Sequence, residues 1–431
     1  MTMIQSNNPI FNTKNINFNG GNISSEGGII LLLEYIRNKH FMSYIKKLPF
    51  NDHRKLFTHS NSSIIYQMLI RTFLGYYAQS GQEVLQNDPL LAKYINPCSQ
   101  STVSRLYDRV TRHTTIDLKE INQIIACNYI NHHVDDILLD VDSTNAPTYG
   151  HQEASSYIHH YELTGYHPFM INEYNTKLLL SSSLRAGNAY SSNGFIEEMK
   201  EIMVHLDTED KTIKLRGDSA FYNKEYLEYM EDNCIQYYIR CKSFSKLSNH
   251  CFEDMISKEV DFTDYTPEAP YYGECEYTIT GSTKARRVAY KAFRTIDRDG
   301  SINLLPTIYS VVTNDHDLSP VEVMDFYEER GNSENFTKEL KDDFNAGTLS
   351  HDTFIKNEFD FLLSSLAYNI YHLFQLDILE GNDNKIRMNT FRMKYEKIAV
   401  KVINHARTSV LSFTSAYMHK HQFIRYLSLL E

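Results

Sequence analysis

The chain has 431 residues, 42% of them hydrophobic and 23% charged, with a formal net charge of −11. That length divides into two or three domains with ample core, and no run of about 18 apolar residues exists to span a membrane. The N-terminus lacks the basic-then-apolar pattern of an export signal, and the six cysteines include no C-x-x-C pair, which argues against a disulfide or structural zinc framework. Reduced thiols in the cytoplasm are the expectation. The charge is unevenly spread: residues 1–135 carry 13 Lys+Arg against 9 Asp+Glu, residues 385–425 nine against one, and residues 136–384 21 against 43.

Residues 1–135 read as a mostly helical region. Asn-rich residues 7–22 are expected to be irregular; Gly27-Gly28 precede the run Ile29 to Ile36, and Ser60 to Tyr77 has apolar residues at helical spacing. Gln100 to Val110 predicts a helix capped by Ser101. Val103, Leu106 and Val110 form its apolar stripe, and Arg105, Arg109 and Arg112 lie near the opposite side. This is either the recognition helix of a helix-turn-helix or an ordinary amphipathic surface helix.

Ile137-Leu138-Leu139-Asp140-Val141-Asp142 reads as a buried strand ending in an acid, where open α/β sheets place their ligands. Asp140 shares a strand face with Asp142. Residues Pro168 to Ala186 predict two strands around Asn175-Thr176, and a helix from about Gly194 to Leu206 follows. Ile213 to Gly217 is a second short strand, ending at Asp218, with Asn223 as the cap of a helix from Lys224 to Asp232. A strand-ending Asp alone is usually a turn or cap former. The pairs His132-His133 and His159-His160 have no matching Cys or carboxylate spacing and read as surface or core histidines.

Gln236 to Cys241 predicts a strand, and residues 243–305 read as a small β-rich insertion before Pro306 to Thr313 resumes the sheet. Next comes Y-E-E-R-G-N-S-E-N-F-T-K-E-L-K, in which Tyr327, Arg330, Glu334 and Lys341 fall on roughly one stripe of an α-helix. A carboxylate between two cations suits a metal held beside a phosphate, although a lone charged helix is more often a solvated face. With Asp142 and Asp218, Glu334 completes the oxygen ligands that a Mg²⁺ pair needs. Phe354 to Leu376 is an apolar helix, and residues 377–431 form a basic region in which Arg387, Arg392, Lys394, Lys397 and Lys401 interleave with Phe391 and Tyr395.

The order Asp142, Asp218, Glu334, with Y-x2-R-x3-E-x6-K around the last acid, resembles the DDE transposases of bacterial insertion sequences. Asp142-Ser143-Thr144, Leu184-Arg185-Ala186-Gly187-Asn188-Ala189, Arg216-Gly217-Asp218-Ser219 and Phe359 to Tyr368 add to the likeness. Together they look closest to the insertion-sequence family numbered thirteen-eighty, whose members are similar to piggyBac-type elements. The resemblance implies an RNase H-like mixed-sheet catalytic core in two parts, residues 136–242 and 306–376, interrupted by the insertion. It implies that Asp142, Asp218 and Glu334 bind two Mg²⁺ ions, for which Mn²⁺ substitutes. Asp140 and Lys338 would support them, and Arg330 and Lys341 would grip phosphate or steady the carboxylates. Tyr327 would either bond the DNA backbone or pack its helix, and Arg185 is a phosphate contact of low specificity. Arg105, Arg109, Arg392 and Lys394 would touch double-stranded DNA, the terminal inverted repeats and the target.

In relatives the insertion can stack a flipped base on an aromatic ring; without tryptophan, Tyr271, Tyr272 or Tyr277 would serve. The implied activity is cleavage at element ends and joining of 3′-ends to target DNA, by a homodimer on nucleoid DNA. A structure-selective nuclease and a domesticated DNA-binding protein without catalysis are the alternatives. The family pattern puts the catalytic acid directly before Ser-Thr, so Asp142→Asn should cost far more activity than Asp140→Asn in a cleavage assay; equal losses would refute the assignment.

Overall fold

A computed structural model describes residues 16–242, 245–297, 300–405 and 408–431. As far as residue 15, the irregular conformation expected for 7–22 lies outside the described residues. The chain divides into two compact units. The larger comprises Met42–Lys55 and Tyr107–Lys385; the smaller comprises the described residues up to Phe41, Leu56–Leu106 and Ile386–Glu431. Among the described residues no helix is long and apolar enough to cross a membrane.

The larger unit is a mixed α/β fold. Its strands are β1 (Asp136–Ser143), β2 (Ala146–Pro147), β3 (Ser156–Ile158), β4 (Leu163–Tyr166), β5 (Phe169–Glu173), β6 (Leu179–Ser183), β7 (Thr212–Gly217), β8 (Gln236–Arg240), β9 (Tyr271–Thr278), β10 (Ala285–Phe293) and β11 (Thr307–Thr313). Eight of them form one sheet in the order β9-β10-β11-β8-β7-β1-β5-β6, with β2-β4-β3 as a small separate sheet. β7 is parallel to both β1 and β8; the other pairings in the large sheet are antiparallel. β1 is central, and Ile137 to Val141 are all buried, which is why it reads as an apolar run rather than an alternation. The β5–β6 hairpin turns where Glu173, itself buried, accepts hydrogen bonds from the Thr176 N–H and Oγ1 at 2.7 Å each. The expected insertion begins with a helix, α4 (Ser245–Ser257). Its two strands, β9 and β10, extend the large sheet instead of building one of their own.

Helix α1 (Arg112–His133) and helix α7 (Phe354–Ile378) pack on one another and on β6. Eighteen residues of α7 are buried, as a helix apolar on most sides requires. Between β6 and β7 runs α2 (Phe195–His205), and between β7 and β8 runs α3 (Lys224–Asp232), whose cap Asn223 accepts from the Glu225 N–H at 2.9 Å. The Leu184–Ala189 phrase owes its glycine to close backbone stacking. A Cβ on Gly187 would fall 2.2 Å from the Gly165 carbonyl and 2.6 Å from that of Ser156, so only glycine lets this loop lie on the small sheet.

In the smaller unit, Ser60 caps the helix Asn61–Phe73, and the strand Ile23–Ser24 pairs with Val400–Asn404, which pairs in turn with Ser409–Phe413. Gln100–Tyr107 is a helix, but it starts after Ser99, so Ser101 lies within it and not at its cap. It also ends before Arg109 and Arg112, so the three arginines do not share one helical face.

The basic C-terminal stretch is woven into this unit's core. Arg392 is buried, and its guanidinium donates to the carbonyls of Phe73 and Thr72, the last turn of the Asn61–Phe73 helix, and to Asn389. It is a helix C-cap. Lys397 is likewise held, by Glu26 at 2.7 Å and the Tyr76 hydroxyl at 3.1 Å. Deleting this region would therefore remove a sheet and a cap along with its charge.

Arg392–Glu396 forms a π-helical turn, and Glu396, fully buried, has no hydrogen-bond partner on either carboxylate oxygen among the described residues. Burial pushes its carboxyl up to about 8, against the pull of Arg392 and Lys397. The folded protein then holds this proton more tightly than the unfolded chain, whose glutamates titrate near 4.3. Stability from this group is present below about pH 4.3 and lost as pH rises through about 8. Urea midpoints should decline over that window, and Glu396→Gln should flatten the decline; an unchanged pH profile in the variant would mean that Glu396 is not the group responsible.

Candidate active site

The parallel pairing of β1 with β7 sets Asp140 opposite Arg216 and Val141 opposite Gly217. One residue further along the same register come Asp142 and Asp218, at the carboxyl edge of two strands about 4.8 Å apart. Gly217 keeps those strands close: a Cβ there would meet Ile239 at 2.9 Å and Val141 at 3.1 Å. Asp142 Oδ1 accepts from the Ser143 N–H at 2.9 Å, and Asp218 Oδ1 accepts from the Ala220 N–H at 2.8 Å, capping the turn Ser219–Phe221.

The third acid arrives on the segment after β11. Helix α5 (Pro320–Glu328) ends in a 3₁₀ turn, Glu329–Asn332, before helix α6 (Ser333–Asp343) begins. The single continuous α-helix expected from the spacing of Tyr327, Arg330, Glu334 and Lys341 is thus interrupted, because the tighter 3₁₀ winding takes three residues per turn. Glu334 stands exposed in the first turn of α6, and the preceding Ser333 donates its hydroxyl to Asp140. Arg330, in the 3₁₀ turn, places Nη2 3.1 Å from Asp142 Oδ1 and 3.3 Å from the Val141 carbonyl. Lys341 Nζ lies 3.4 Å from Thr144 Oγ1 and 3.3 Å from Asn145 Oδ1, where the chain leaves β1.

The electrostatics tie these groups together. Burial raises the Asp142 carboxyl above its usual range, the fields of Asp218 and Glu334 raise it further, and Arg330 with the Ser143 N–H pull it back. For Arg330 burial opposes the charge, but Asp142, Tyr327, Asp218 and Asp140 together raise its pKa. Burial lowers the Lys341 ammonium, so a phosphate there would gain an unscreened partner. Tyr327 packs its ring on the core formed by Tyr238, Ala289, Val311, Val323 and Met324. It also lines a cleft of about 350 Å³ with Arg240, Lys291 and Tyr309.

Two further residues had little sequence signal. Tyr161, one of 31 tyrosines, directs its hydroxyl to the Ser143 carbonyl at 3.3 Å, and after burial the charges of Asp142 and Asp218 raise its pKa. Arg216 is wholly buried and forks onto Asp140, Nε to Oδ1 at 2.7 Å and Nη2 to Oδ2 at 2.8 Å. Its position two residues before Asp218, matching Asp140 before Asp142, was the one clue to it in the sequence.

Other expected contacts lie elsewhere. Arg185 turns inward: Nε donates to the His167 carbonyl, Nη1 to those of Tyr190, Ser191 and Asn193, and the guanidinium lies 5.0 Å from the Phe169 ring. It holds the 190–193 loop instead of facing a phosphate. Arg392 is the helix cap described above, which removes it from the DNA contacts as well. Arg105 is exposed and bonds Ser101, and Lys394 lies over the Tyr395 ring; both belong to the smaller unit. Arg109 is half-buried and Lys338 exposed. Tyr271 and Tyr277 are engaged by rings of Tyr265, Tyr290 and His250, and Tyr272 packs on the core around Tyr238.

The donor set suits a hard divalent cation, since it offers carboxylate oxygens alone. Among the described residues no three His, Cys, Asp or Glu side chains stand close enough to enclose a metal unaided.

The larger unit is thus a mixed α/β fold that places Asp142 and Asp218 at the carboxyl ends of adjacent parallel strands. A sequence model of the family described as "Transposase DDE domain group 1" matches residues 9–431, and the chain belongs to that family. It is a DNA transposase, an enzyme that cleaves and transfers DNA strands, in a class that generally depends on divalent metal. No curated protein matches the chain. Among solved structures it is similar to a piggyBac transposase synaptic complex with hairpin DNA, at TM-score 0.45 and 10% identity, covering 86% of this chain and 78% of that one.

Because the folded Asp142 carboxyl titrates above the ordinary value of roughly 3.9, its ionisation costs stability as pH rises through the folded pKa. In the presence of chelator, Asp142→Asn should melt at a higher temperature than the native protein at neutral pH. The gain should vanish below about pH 4. Equal melting temperatures at neutral pH would contradict a crowding of acids around Asp142.

Proposed function

We propose that the larger unit is an RNase H-like core in which Asp142, Asp218 and Glu334 carry the phosphoryl-transfer chemistry with two Mg²⁺ ions, Mn²⁺ substituting. The observation that carries this reading is that Asp142 and Asp218 each directly follow the last paired residues, Val141 and Gly217, of adjacent parallel strands, with the Glu334 helix fastened to the first of those strands through Ser333 and Asp140. When bound, the ions would lower the pKa of the attacking water or 3′-hydroxyl and stabilise the leaving oxygen. The carboxylates of Asp142, Asp218 and Glu334 would hold the ions in place beside the scissile phosphate. In the first step a water oxygen bonds to phosphorus and the 3′-oxygen leaves as a hydroxyl. In the second, that 3′-oxygen attacks a phosphodiester of target DNA and another 3′-oxygen leaves.

Arg330 orients the Asp142 carboxylate and offers its guanidinium to the scissile phosphate; Lys341 adds a point charge beside the strand exit. Tyr327 keeps the Arg330 turn seated through its packing. Double-stranded DNA at the element's terminal inverted repeats and at the target is the substrate, bound by a homodimer. Arg105, Arg109, Lys394 and the basic residues near both ends of the chain supply phosphate contact that the acidic centre cannot. The enzyme would work in the cytoplasm on nucleoid DNA.

Labelled DNA from the flanks of the coding sequence, incubated with the protein and Mg²⁺ or Mn²⁺, should yield cuts at the element ends and joined products on a target plasmid. Asp142→Asn, Asp218→Asn and Glu334→Gln should each slow cleavage by on the order of a thousandfold, equivalent to ~4 kcal/mol of barrier, while end binding persists. A variant of any of the three acids that cleaves at the native rate would overturn the assignment of that residue.

A further inference from the structure

The three acids must be held in one place although they repel one another, and none of them supplies the restraint. The residues that do are buried one step behind. Alternate strand residues share a face, so Asp140 stands behind Asp142 on β1 and Arg216 behind Asp218 on β7, and the parallel register sets this second row side by side. The front row is two like charges; the back row is a bidentate ion pair between residues that are 2% and 0% exposed.

That pair also reaches the third acid. Arg216 Nη1 donates to the Phe326 carbonyl at 2.8 Å, near the end of α5, and Asp140 Oδ2 accepts from the Ser333 hydroxyl, at the start of α6. The guanidinium is stacked between the rings of Tyr174 at 4.3 Å and Phe326 at 5.1 Å, so its plane is fixed. The α5–α6 segment is therefore pinned on both sides of its 3₁₀ turn. Arg330 lies between the pins and Glu334 directly follows the second.

We infer that Asp140, Arg216 and Ser333 form a buried positioning clamp, which sets the spacing of Asp142 and Asp218 and the helical phase of Glu334 for binding divalent metal. Burial excludes contact of Asp140 and Arg216 with DNA, so their action on the reaction runs through the acids. The inference rests on the assignment of those acids proposed above.

Ser333→Ala is the discriminating variant, because it removes one hydroxyl and leaves the ion pair intact. Expected are a nearly native melting temperature, Mn²⁺ affinity in calorimetric titration weakened ~10-fold, and kcat for end cleavage down by about 10–100-fold. KM for end DNA should change far less than kcat, and Ser333→Thr, which keeps the hydroxyl, should restore both metal affinity and rate. Arg216→Lys keeps the buried charge but loses the fork and should show the same signature. If Ser333→Ala binds Mn²⁺ and cleaves as the native enzyme does while Glu334→Gln is inactive, the clamp is an ordinary structural ion pair and the inference fails. If Glu334→Gln itself cleaves normally, the site assignment fails instead.

Discussion

The arrangement of the larger unit hangs on one buried ion pair, Asp140 with Arg216. Moving both charges out of water carries a desolvation cost of several kcal/mol per ion, returned only when geometry is good and the remaining donors and acceptors are satisfied. Here the fork is bidentate, a third guanidinium nitrogen reaches a backbone carbonyl, and the carboxylate takes a serine hydroxyl. Two aromatic faces add cation–π attraction. Such a pair adds little net stability over an apolar replacement, but losing one partner costs about 3–5 kcal/mol, since the other charge stays buried. Activity changes at Asp140 therefore have to be read on protein shown to be folded.

In front of that pair, the fields of Asp218 and Glu334 on Asp142 are offset by Arg330 and by the Ser143 N–H. Acids so crowded favour multivalent cations, and the paired strands hold their backbones in register. The acids proposed above as the site are thus held together at the expense of local stability.

The smaller unit solves a different problem with similar parts. Its basic C-terminal stretch, which looks from composition like a phosphate-binding surface, has Arg392 closing a helix end and Lys397 neutralising Glu26. Arg185 makes the same point in the larger unit, where four carbonyls take its Nε and Nη1 donors.

Much was legible in the chain. The apolar run before Asp142, the Asn223 cap, the hairpin around Asn175-Thr176 and the apolar helix Phe354–Ile378 follow from local propensity and periodicity, which act over a few residues. Asp142 and Asp218 stood out because each closes a short strand, and Glu334 because it lies between two cations at helical spacing. What the sequence could not state was which polar groups spend their hydrogen bonds on one another. That depends on contacts between residues far apart in the chain, such as Asp140 with Arg216 and Ser333, or Arg392 with Thr72 and Phe73. Period and composition are blind to such contacts, as they were to the 3₁₀ interruption before Glu334 and to the joining of β9 and β10 to the main sheet. The chain by itself determined where its acids fall along strands and helices; only the packed structure decided which charges are buried against one another and which stay exposed, because that depends on contacts between distant residues.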